Sequence, residues 1–216
     1  AAGANILSTH FCWHEAPVPT IATMVPRAAF ASVTGRLRRA VTVPLITSNR
    51  INMPEVAESV LARGDADLVS MARPMLADPE WVNKAREGRE DEINTCIACN
   101  QACLDHTFGG YKPVSCLVNP RACNETLLNY GPTPAPKRLA VVGAGPAGLA
   151  YATVAAQRGH AVTLLDSAPE IGGQFNLAKR IPGKEEFVET LRYYRRMIDV
   201  QGIELRLNTR VDAAAL

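Results

Sequence analysis

Short apolar runs alternate with amphipathic stretches over the first 90 residues. The apolar runs are 5–8, 43–47 and 66–70. The stretches between them, 28–39 and 55–63, carry apolar side chains at helical spacing. Pro26 and Pro54 suit first-turn positions of these helices, and Gly64 suits the end of the second one. The pattern predicts alternating strands and helices, which is typical of a parallel α/β sheet.

A second α/β pattern begins at residue 138. Its strands are predicted near 138–142, 161–165 and 203–207. Between the two patterns lies first a cysteine-rich stretch without periodicity, and then a stretch with three prolines that is typical of a linker. We therefore expect four segments, which are 1–90, 91–123, 124–137 and 138–216.

Composition excludes several classes of protein. With 216 residues, 47% hydrophobic and 20% charged, the chain is globular and not disordered. Its net charge of +2 gives no electrostatic reason to expect a nucleic acid or an anionic membrane as partner. The uncharged run 139–156 has the length of a membrane span, but its glycines and central proline predict a strand, a loop and a helix instead.

Four of the six cysteines are crowded together, which favours metal chemistry in a reducing, cytoplasmic compartment. Their spacing is Cys96-x2-Cys99-x3-Cys103-x12-Cys116. Three thiolates on one loop can surround a compact centre while a remote fourth closes it, and this favours an iron–sulfur cluster. A structural zinc site and unligated thiols are the alternatives. Cys12 and Cys123 lie outside the pattern and are expected to be ordinary buried or free thiols.

A glycine-rich loop, Gly143-Ala144-Gly145-Pro146-Ala147-Gly148, joins an apolar strand to a helix predicted to end near Arg158. In this context Gly143 makes the turn, Gly145 admits a pyrophosphate to the backbone, and Gly148 allows close helix–strand packing. The N–H groups and dipole of the helix N-terminus then favour phosphate. The loop therefore predicts a dinucleotide site.

Asp166 stands at the end of the next predicted strand. A carboxylate there can accept hydrogen bonds from ribose hydroxyls and would repel a 2′-phosphate, which favours FAD or NAD over NADP at this site. A second glycine pair, Gly172-Gly173-Gln174, is consistent with close approach of backbone to a flavin dinucleotide. A plain glycine turn with a surface aspartate is the alternative.

Candidate ligand-binding residues follow each of the first three predicted strands, where parallel folds place their ligands. They are His14 and Glu15, Asn49 and Arg50, and Ala72 and Arg73. Two arginines on adjacent loops could bind one phosphate, such as that of FMN. The alternative to phosphate binding is that these arginines end strands and cap helices for solubility. The alternative to a catalytic role is that His14 is a structural residue. For the other histidines the sequence gives no better reason to expect a catalytic role, and these are His10, His106 and His160.

Several stretches resemble bacterial NADPH-dependent 2,4-dienoyl-CoA reductases, a family related to trimethylamine dehydrogenase and old yellow enzyme. The cluster-binding segment is represented by INTC at 93–96, CNQACLD at 99–105 and SCLVNPR at 115–121. The resemblance continues at 13–15, 47–50, 70–74 and 171–197. It thus runs nearly from end to end, and the last stretch is specific to the dienoyl-CoA reductase branch.

The resemblance implies the C-terminal part of an FMN-binding (β/α)8 TIM barrel, a 4Fe-4S connecting segment, and the start of a Rossmann-like domain that binds FAD and NADPH. The implied cluster ligands are Cys96, Cys99, Cys103 and Cys116. The implied FMN contacts are Arg50, Ala72 and Arg73. The implied FAD contacts are Gly143, Gly145, Ala147, Gly148, Asp166, Gly173, Gln174 and Lys184. His14 would assist protonation of the substrate.

The implied activity is reduction of 2,4-dienoyl-CoA thioesters in unsaturated fatty acid β-oxidation. Electrons would pass from NADPH through FAD, the cluster and FMN to the substrate. A cluster carries single electrons, so it belongs between two flavins that each hold two. The alternatives are a related enoate reductase or amine dehydrogenase, and a non-enzymatic, zinc-stapled dinucleotide-binding module.

The sequence also departs from the family pattern. The general-acid tyrosine, the substrate-binding first half and the NADPH-binding subdomain have no counterpart, and the first three β/α units are too few to close a barrel. The interval from Cys103 to Cys116 is one residue longer than in the family pattern, and the extra residue lies near Gly109-Gly110-Tyr111. We therefore expect an internal fragment, inactive alone, whose partner is the remainder of the parent polypeptide.

Overall fold

The computed structural model describes residues 3–110 and 112–213, so Tyr111 lies outside the described residues. The chain divides into two compact units, Ala1–Cys123 and Asn124–Leu216. Each unit is built on a three-stranded parallel sheet. The cysteine-rich segment 91–123 is part of the first unit, and the proline-rich segment 124–137 is part of the second.

The first unit alternates strands and helices as predicted. Its elements are β1 (Leu7–Ser8), α1 (Ala31–Leu37), β2 (Leu45–Thr47), α2 (Pro54–Ala62), β3 (Leu68–Val69), α3 (Arg73–Ala77), α4 (Trp81–Arg86), a 3₁₀ turn (Glu90–Glu92) and α5 (Leu104–Gly110). The sheet order is β1-β2-β3, with Ser8 paired to Ile46 and Thr47 to Val69. The carboxyl ends of the three strands therefore meet at one edge of the sheet.

The predicted first helix is too long at its start. Residue 28 has φ +53°, a left-handed conformation that is incompatible with a continuing helix, so α1 begins at Ala31 and Pro26 lies in the preceding loop. The second prediction is correct in this respect: Pro54 occupies the first turn of α2. Gly64, with φ +71°, directly follows Arg63, the C-cap residue of α2.

The cysteine-rich segment is anchored to the core of the first unit by its first apolar residue. Ile93 is fully buried in a cluster with Ile51, Met53 and Trp81. The indole N–H of Trp81 donates to the carbonyl of Asn52 over 3.1 Å, which satisfies its only polar atom. Burial of these side chains fixes where the cysteine-rich segment begins.

A buried ion pair holds the same point. Lys84 Nζ lies 2.7 Å from Asp78 Oδ2, and the Asp78 side chain is only 5% exposed. The same carboxylate oxygen accepts the backbone N–H of Asn94 over 2.8 Å, and Lys84 Nζ also donates to the carbonyl of Glu92 over 2.9 Å. The pair is therefore compensated by hydrogen bonds to the chain that leads into the cysteines.

The second unit forms a Rossmann-like half-sheet. Its elements are β4 (Arg138–Val142), α6 (Pro146–Gln157), β5 (Ala161–Leu165), α7 (Phe175–Ala178), a 3₁₀ turn (Glu185–Phe187), α8 (Val188–Val200) and β6 (Glu204–Arg206). The order is β4-β5-β6, all parallel. The core contains Leu149, Leu164, Leu191 and Ile198 from α6, β5 and α8. A parallel sheet with helices between its strands is what the alternating pattern predicts.

The proline-rich stretch contacts the rest of the second unit. The N–H of Thr133 donates to the carbonyl of Arg158 over 2.8 Å, and that of Lys137 donates to His160 Nδ1 over 3.1 Å. Within the described ranges no helix is long and apolar enough to cross a membrane. The uncharged run is divided among β4, the glycine loop and α6.

Candidate functional sites

The strand-end cavity lies at the carboxyl ends of β1, β2 and β3 and has a volume of about 260 Å³. The four residues predicted to act there all line it, and these are His14, Arg50, Ala72 and Arg73. His10, Ser48 and Ser70 also line it, whereas Glu15 is not among the lining residues. The cavity is therefore polar and cationic, which suits an anionic group.

Two consecutive residues at the end of β2 have left-handed backbone. Asn49 has φ +76° and Arg50 has φ +57°, and both are buried. Asn49 Nδ2 donates to the carbonyl of Phe11 over 3.1 Å, and Arg50 Nε donates to the carbonyl of Val25 over 2.6 Å. Such conformations persist only where surrounding contacts enforce them, and they are concentrated at functional sites.

His14 is in direct contact with Arg73. Arg73 Nη2 lies 3.0 Å from His14 Nε2. Because a guanidinium only donates, Nε2 must accept, and the proton of the neutral imidazole resides on Nδ1. Nδ1 is buried and has no hydrogen-bond partner among the described residues. Burial lowers the pKa of His14, the charge of Arg73 lowers it further, and Glu15 opposes both.

The other terminal nitrogen of Arg73 contacts the cysteine loop, since Nη1 donates to Asn100 Oδ1. Asn100 Nδ2 in turn donates to the carbonyl of Ile21 over 2.9 Å. Sequence reasoning did not single out Asn100. The available signal was an asparagine directly after Cys99. Asn is one of the few residues that tolerate left-handed backbone, and Asn100 has φ +63°.

The cysteine pocket is lined by the four cysteines that the spacing singles out, Cys96, Cys99, Cys103 and Cys116. The other lining residues are mostly apolar, and Arg73 is a member of this pocket as well as of the strand-end cavity. Left-handed backbone at Ala98, with φ +53°, turns the chain between the first two cysteines. Cys12 and Cys123 lie outside the pocket, as expected for cysteines outside the spacing pattern, and both are exposed and not buried.

The thiols of this pocket interact with one another. The pKa of Cys96 is raised to about 12, chiefly by burial and to a smaller extent by the neighbouring Cys116 and Cys99. Burial also raises the pKa of Cys99 and of Cys116. Backbone N–H groups at Ala98, Gln101, Val118 and Asn119 donate to these sulfurs and act in the opposite direction. Such N–H donors stabilise thiolates around an iron–sulfur centre.

The donor set fits a four-iron cluster in number and type. Within residues 3–110 and 112–213, no group of three or more His, Cys, Asp or Glu side chains is arranged to hold a metal ion. A zinc ion would need its sulfurs at about 2.3 Å from one point. A 4Fe-4S cluster instead bonds each thiolate to a different iron, so its ligands stand around a larger centre.

The glycine loop has the geometry of a phosphate-binding turn. Gly143 has φ +105°, and a Cβ on Gly148 would lie 1.8 Å from the Gly143 carbonyl oxygen. A Cβ on Gly145 would meet nothing within 4 Å. Because Pro146 starts α6 and no side chain caps it, the N–H groups of Ala147 and Gly148 have no intrahelical acceptor. They remain available to an anion.

Asp166 contacts the loop through its carboxylate. Oδ2 accepts the N–H of Ala144 over 2.6 Å, and Oδ1 accepts the N–H of Ala168 over 2.7 Å. Each oxygen keeps a second lone pair for a ribose hydroxyl. A Cβ on Gly173 would lie 3.2 Å from Gly145 Cα, so the second glycine pair packs directly on the loop.

The remaining predicted contacts lie farther along the chain. Gln174 is exposed and occupies the N-cap position of α7, where its side chain makes no capping hydrogen bond. Lys184 Nζ lies 5.5 Å from the centre of the Phe187 ring, and no hydrogen bond joins its side chain to the glycine loop in the described part of the chain. The structure thus brings the glycines, Asp166 and Gly173 together but does not join Lys184 to them.

Residues 2–92 match the model of the NADH:flavin oxidoreductase / NADH oxidase family. This part of the chain is therefore similar to that family, the old yellow enzyme-like group of flavin oxidoreductases. Residues 141–195 match the NAD(P)-binding Rossmann-like domain. The α/β class and the Rossmann-like character predicted for the second unit are thereby confirmed.

Similar proteins include a metal reductase of Desulforamulus reducens, 44% identical over 96% of this chain and 31% of its own length. An NADH oxidase of Thermoanaerobacter brockii is 37% identical over 83% of this chain and 28% of its own. A solved complex of 2-naphthoyl-CoA reductase with 2-naphthoyl-CoA has a TM-score of 0.92 and 38% identity, over 97% of this chain and 32% of that one. The chain therefore spans about a third of these relatives.

Proposed function

We propose that this chain is part of an NADPH-dependent 2,4-dienoyl-CoA reductase that contains FMN, FAD and a 4Fe-4S cluster. The observation that carries the proposal is that His14, Arg50 and Arg73 share one cavity, while Arg73 also lines the pocket of four cysteines. The similarity to 2-naphthoyl-CoA reductase supports a CoA thioester as substrate. The family match supports a flavin.

The strand-end cavity is proposed to hold FMN. Arg50 and Arg73 supply two fixed positive charges on adjacent loops, and Ala72 supplies backbone at the end of β3. Arginine at such a place binds phosphate through paired N–H donors. The buried Arg50 is already fixed by its bond to the Val25 carbonyl, so little side-chain entropy is lost when an anion binds.

The other two groups have their own residues. Cys96, Cys99, Cys103 and Cys116 would ligate the cluster, and the backbone N–H groups on their sulfurs would stabilise the thiolates. Gly143, Gly145, Ala147 and Gly148 would bind the FAD pyrophosphate, with Asp166 on the ribose and Gly173, Gln174 and Lys184 nearby. When bound, the flavins supply hydride chemistry and the cluster supplies one-electron transfer between them.

His14 would provide a proton for the substrate carbon that becomes carbanionic. While Arg73 donates to Nε2, the proton of the ring is on Nδ1. Burial and the charge of Arg73 lower the pKa of His14, so that the imidazole is neutral and a stronger acid than a free histidine once protonated. Arg73 thus sets the tautomer of the neutral ring.

The test is turnover by the intact protein. Under anaerobic conditions, 2,4-hexadienoyl-CoA, cinnamate, trimethylamine and ferric citrate are each offered, with NADPH for the acceptors and a dye oxidant for the amine. We expect NADPH oxidation with hexadienoyl-CoA to exceed that with the other acceptors. Amine oxidation or cinnamate reduction without thioester reduction would replace the proposal by an amine dehydrogenase or an enoate reductase. Stoichiometric zinc without iron or flavin would instead indicate a binding module.

A further inference from the structure

Arg73 connects the two sites of the first unit through its two terminal nitrogens. Nη2 lies 3.0 Å from His14 Nε2 in the strand-end cavity, and Nη1 donates to Asn100 Oδ1 in the cysteine loop. A planar guanidinium with both ends occupied has one orientation. The position of Asn100 therefore determines how Arg73 faces His14.

The amide of Asn100 is itself oriented by a second contact. Nδ2 lies 2.9 Å from the carbonyl oxygen of Ile21, and a carbonyl can only accept. Nδ2 is thereby assigned to Ile21, and Oδ1 faces the guanidinium. Rotating the amide by 180° would exchange Oδ1 and Nδ2 and would break both hydrogen bonds.

The cysteine loop and the segment after His14 are connected at a second point. Thr23 Oγ1 donates to the carbonyl of Ala98 over 3.1 Å. Together with the bond from Asn100 to Ile21, this joins residues 98–100 to residues 21–23 at two points. Movement of the loop that carries Cys99 would therefore move the partner of Arg73.

We propose that Asn100 is a positioning residue that fixes the Arg73 guanidinium against Nε2 of His14. The conformation of the cysteine loop thereby sets the tautomer of His14 and the orientation of Arg73 toward the anion that binds in the cavity. The inference rests on the proposed function only where that anion is identified as FMN. Its central claim concerns three side chains of this chain and needs no bound group.

Substitution of Asn100 can separate the side chain from its backbone. Asn100 has φ +63°, so Asn100→Gly removes the amide without imposing strain, whereas alanine would add it. Asn100→Asp keeps an oxygen acceptor for Arg73, but it loses the donor to Ile21 and adds a negative charge beside the guanidinium. Asn208→Gly is the matched control, because Asn208 is exposed, has φ +53° and lies in the other unit.

The experiment is a set of high-resolution crystal structures of the intact protein with these three substitutions. In Asn100→Gly we expect Arg73 Nη2 to leave hydrogen-bond distance of His14 Nε2. In Asn100→Asp and Asn208→Gly the contact should remain. If Arg73 still contacts His14 in Asn100→Gly, or leaves it equally in Asn208→Gly, Asn100 does not position it and the inference is overturned.

Binding of FMN to the deflavinated protein, followed by flavin fluorescence, gives the second readout. For Asn100→Gly the dissociation constant should rise at least about tenfold, because an oriented charge-assisted hydrogen bond is lost. Asn208→Gly should stay near the unsubstituted protein. In an Arg73→Met background Asn100→Gly should cause no further loss, and equal losses in both backgrounds would contradict the inference. An unsubstituted protein that binds no FMN would refute the proposed function, while the crystal structures would still decide the role of Asn100.

Discussion

A Cβ on Gly148 would lie 1.8 Å from the carbonyl oxygen of Gly143, so the start of α6 packs against the end of β4 with no room for a side chain. The obstacle is backbone, which cannot move aside as the end of a flexible side chain could. The contact places the first turn of α6 directly over the glycine loop. Gly148 is therefore required by packing, independently of any ligand.

Gly148→Ala should destabilise the second unit by about 3 kcal/mol through overpacking, and it should weaken FAD binding because the loop must shift. Urea unfolding and an FAD titration measure the two effects. Gly109→Ala in α5 is the matched control, since a Cβ there meets nothing within 4 Å. It should be neutral or stabilising by up to about 1 kcal/mol. Equal unfolding midpoints for the two variants would contradict the packing argument.

Asp78→Ala should destabilise the first unit by about 3–5 kcal/mol, because Lys84 is left without its carboxylate and the N–H of Asn94 without its acceptor. Glu204→Gln removes the exposed pair with Arg206 and should change stability far less, because solvent screens an exposed pair. Thermal unfolding with a probe in each unit measures both. A small effect of Asp78→Ala would mean that the pair does not anchor the cysteine-rich segment.

Arg73→Met should raise the pKa of His14, because removal of the neighbouring positive charge favours the imidazolium. Some depression should persist, since burial is the larger cause. An NMR titration of the histidine ring protons, assigned with His14→Gln, gives the value. Arg36→Met removes an exposed charge at the end of α1 and should leave the pKa of His14 unchanged.

The same shift has a consequence for stability. The native pKa of His14 lies below its ordinary value of 6.5. The unfolded chain therefore binds more protons than the native one between these two values, and the contribution of His14 to stability is present above 6.5 and is lost as the pH falls. Arg73→Met should narrow that pH window in acid unfolding. A window that widens would have the opposite sign and contradict the assigned cause.

Cys116→Ser should abolish iron retention and the brown colour of the anaerobically purified protein, because the remote fourth ligand closes the centre. Iron analysis and visible absorbance measure this. Cys12→Ser is the control, because Cys12 is exposed and outside the pocket, and it should retain full iron content. Equal iron in both variants would remove Cys116 from the ligand set.

Local pattern predicted the second unit well. The observed β4 and β5, Arg138–Val142 and Ala161–Leu165, coincide with their predicted ranges, and β6 is one residue shorter at each end. Helix α6 ends near Arg158 as predicted, and Gly159, with φ +94°, follows its C-cap. These boundaries depend on apolar runs and on glycines at left-handed positions, and both are properties of short segments.

The first helix boundary depends on a distant contact instead. The N–H of Ala28 donates to the carbonyl of Arg50 over 2.8 Å. Ala28 makes that bond while its backbone is left-handed, and α1 therefore begins only at Ala31. The helical spacing of residues 28–39 cannot predict this hydrogen bond, because its acceptor lies 22 residues farther along the chain.

The sequence by itself determined which chemistry is present: four spaced thiols, a glycine loop before a helix, and polar residues after three parallel strands. Tertiary structure alone decided that Arg73 contacts both His14 and Asn100, which are 59 and 27 residues distant from it. Spacing encodes which residues share a loop or a strand end. It does not encode which loops meet, because that depends on how the buried side chains of the whole unit pack.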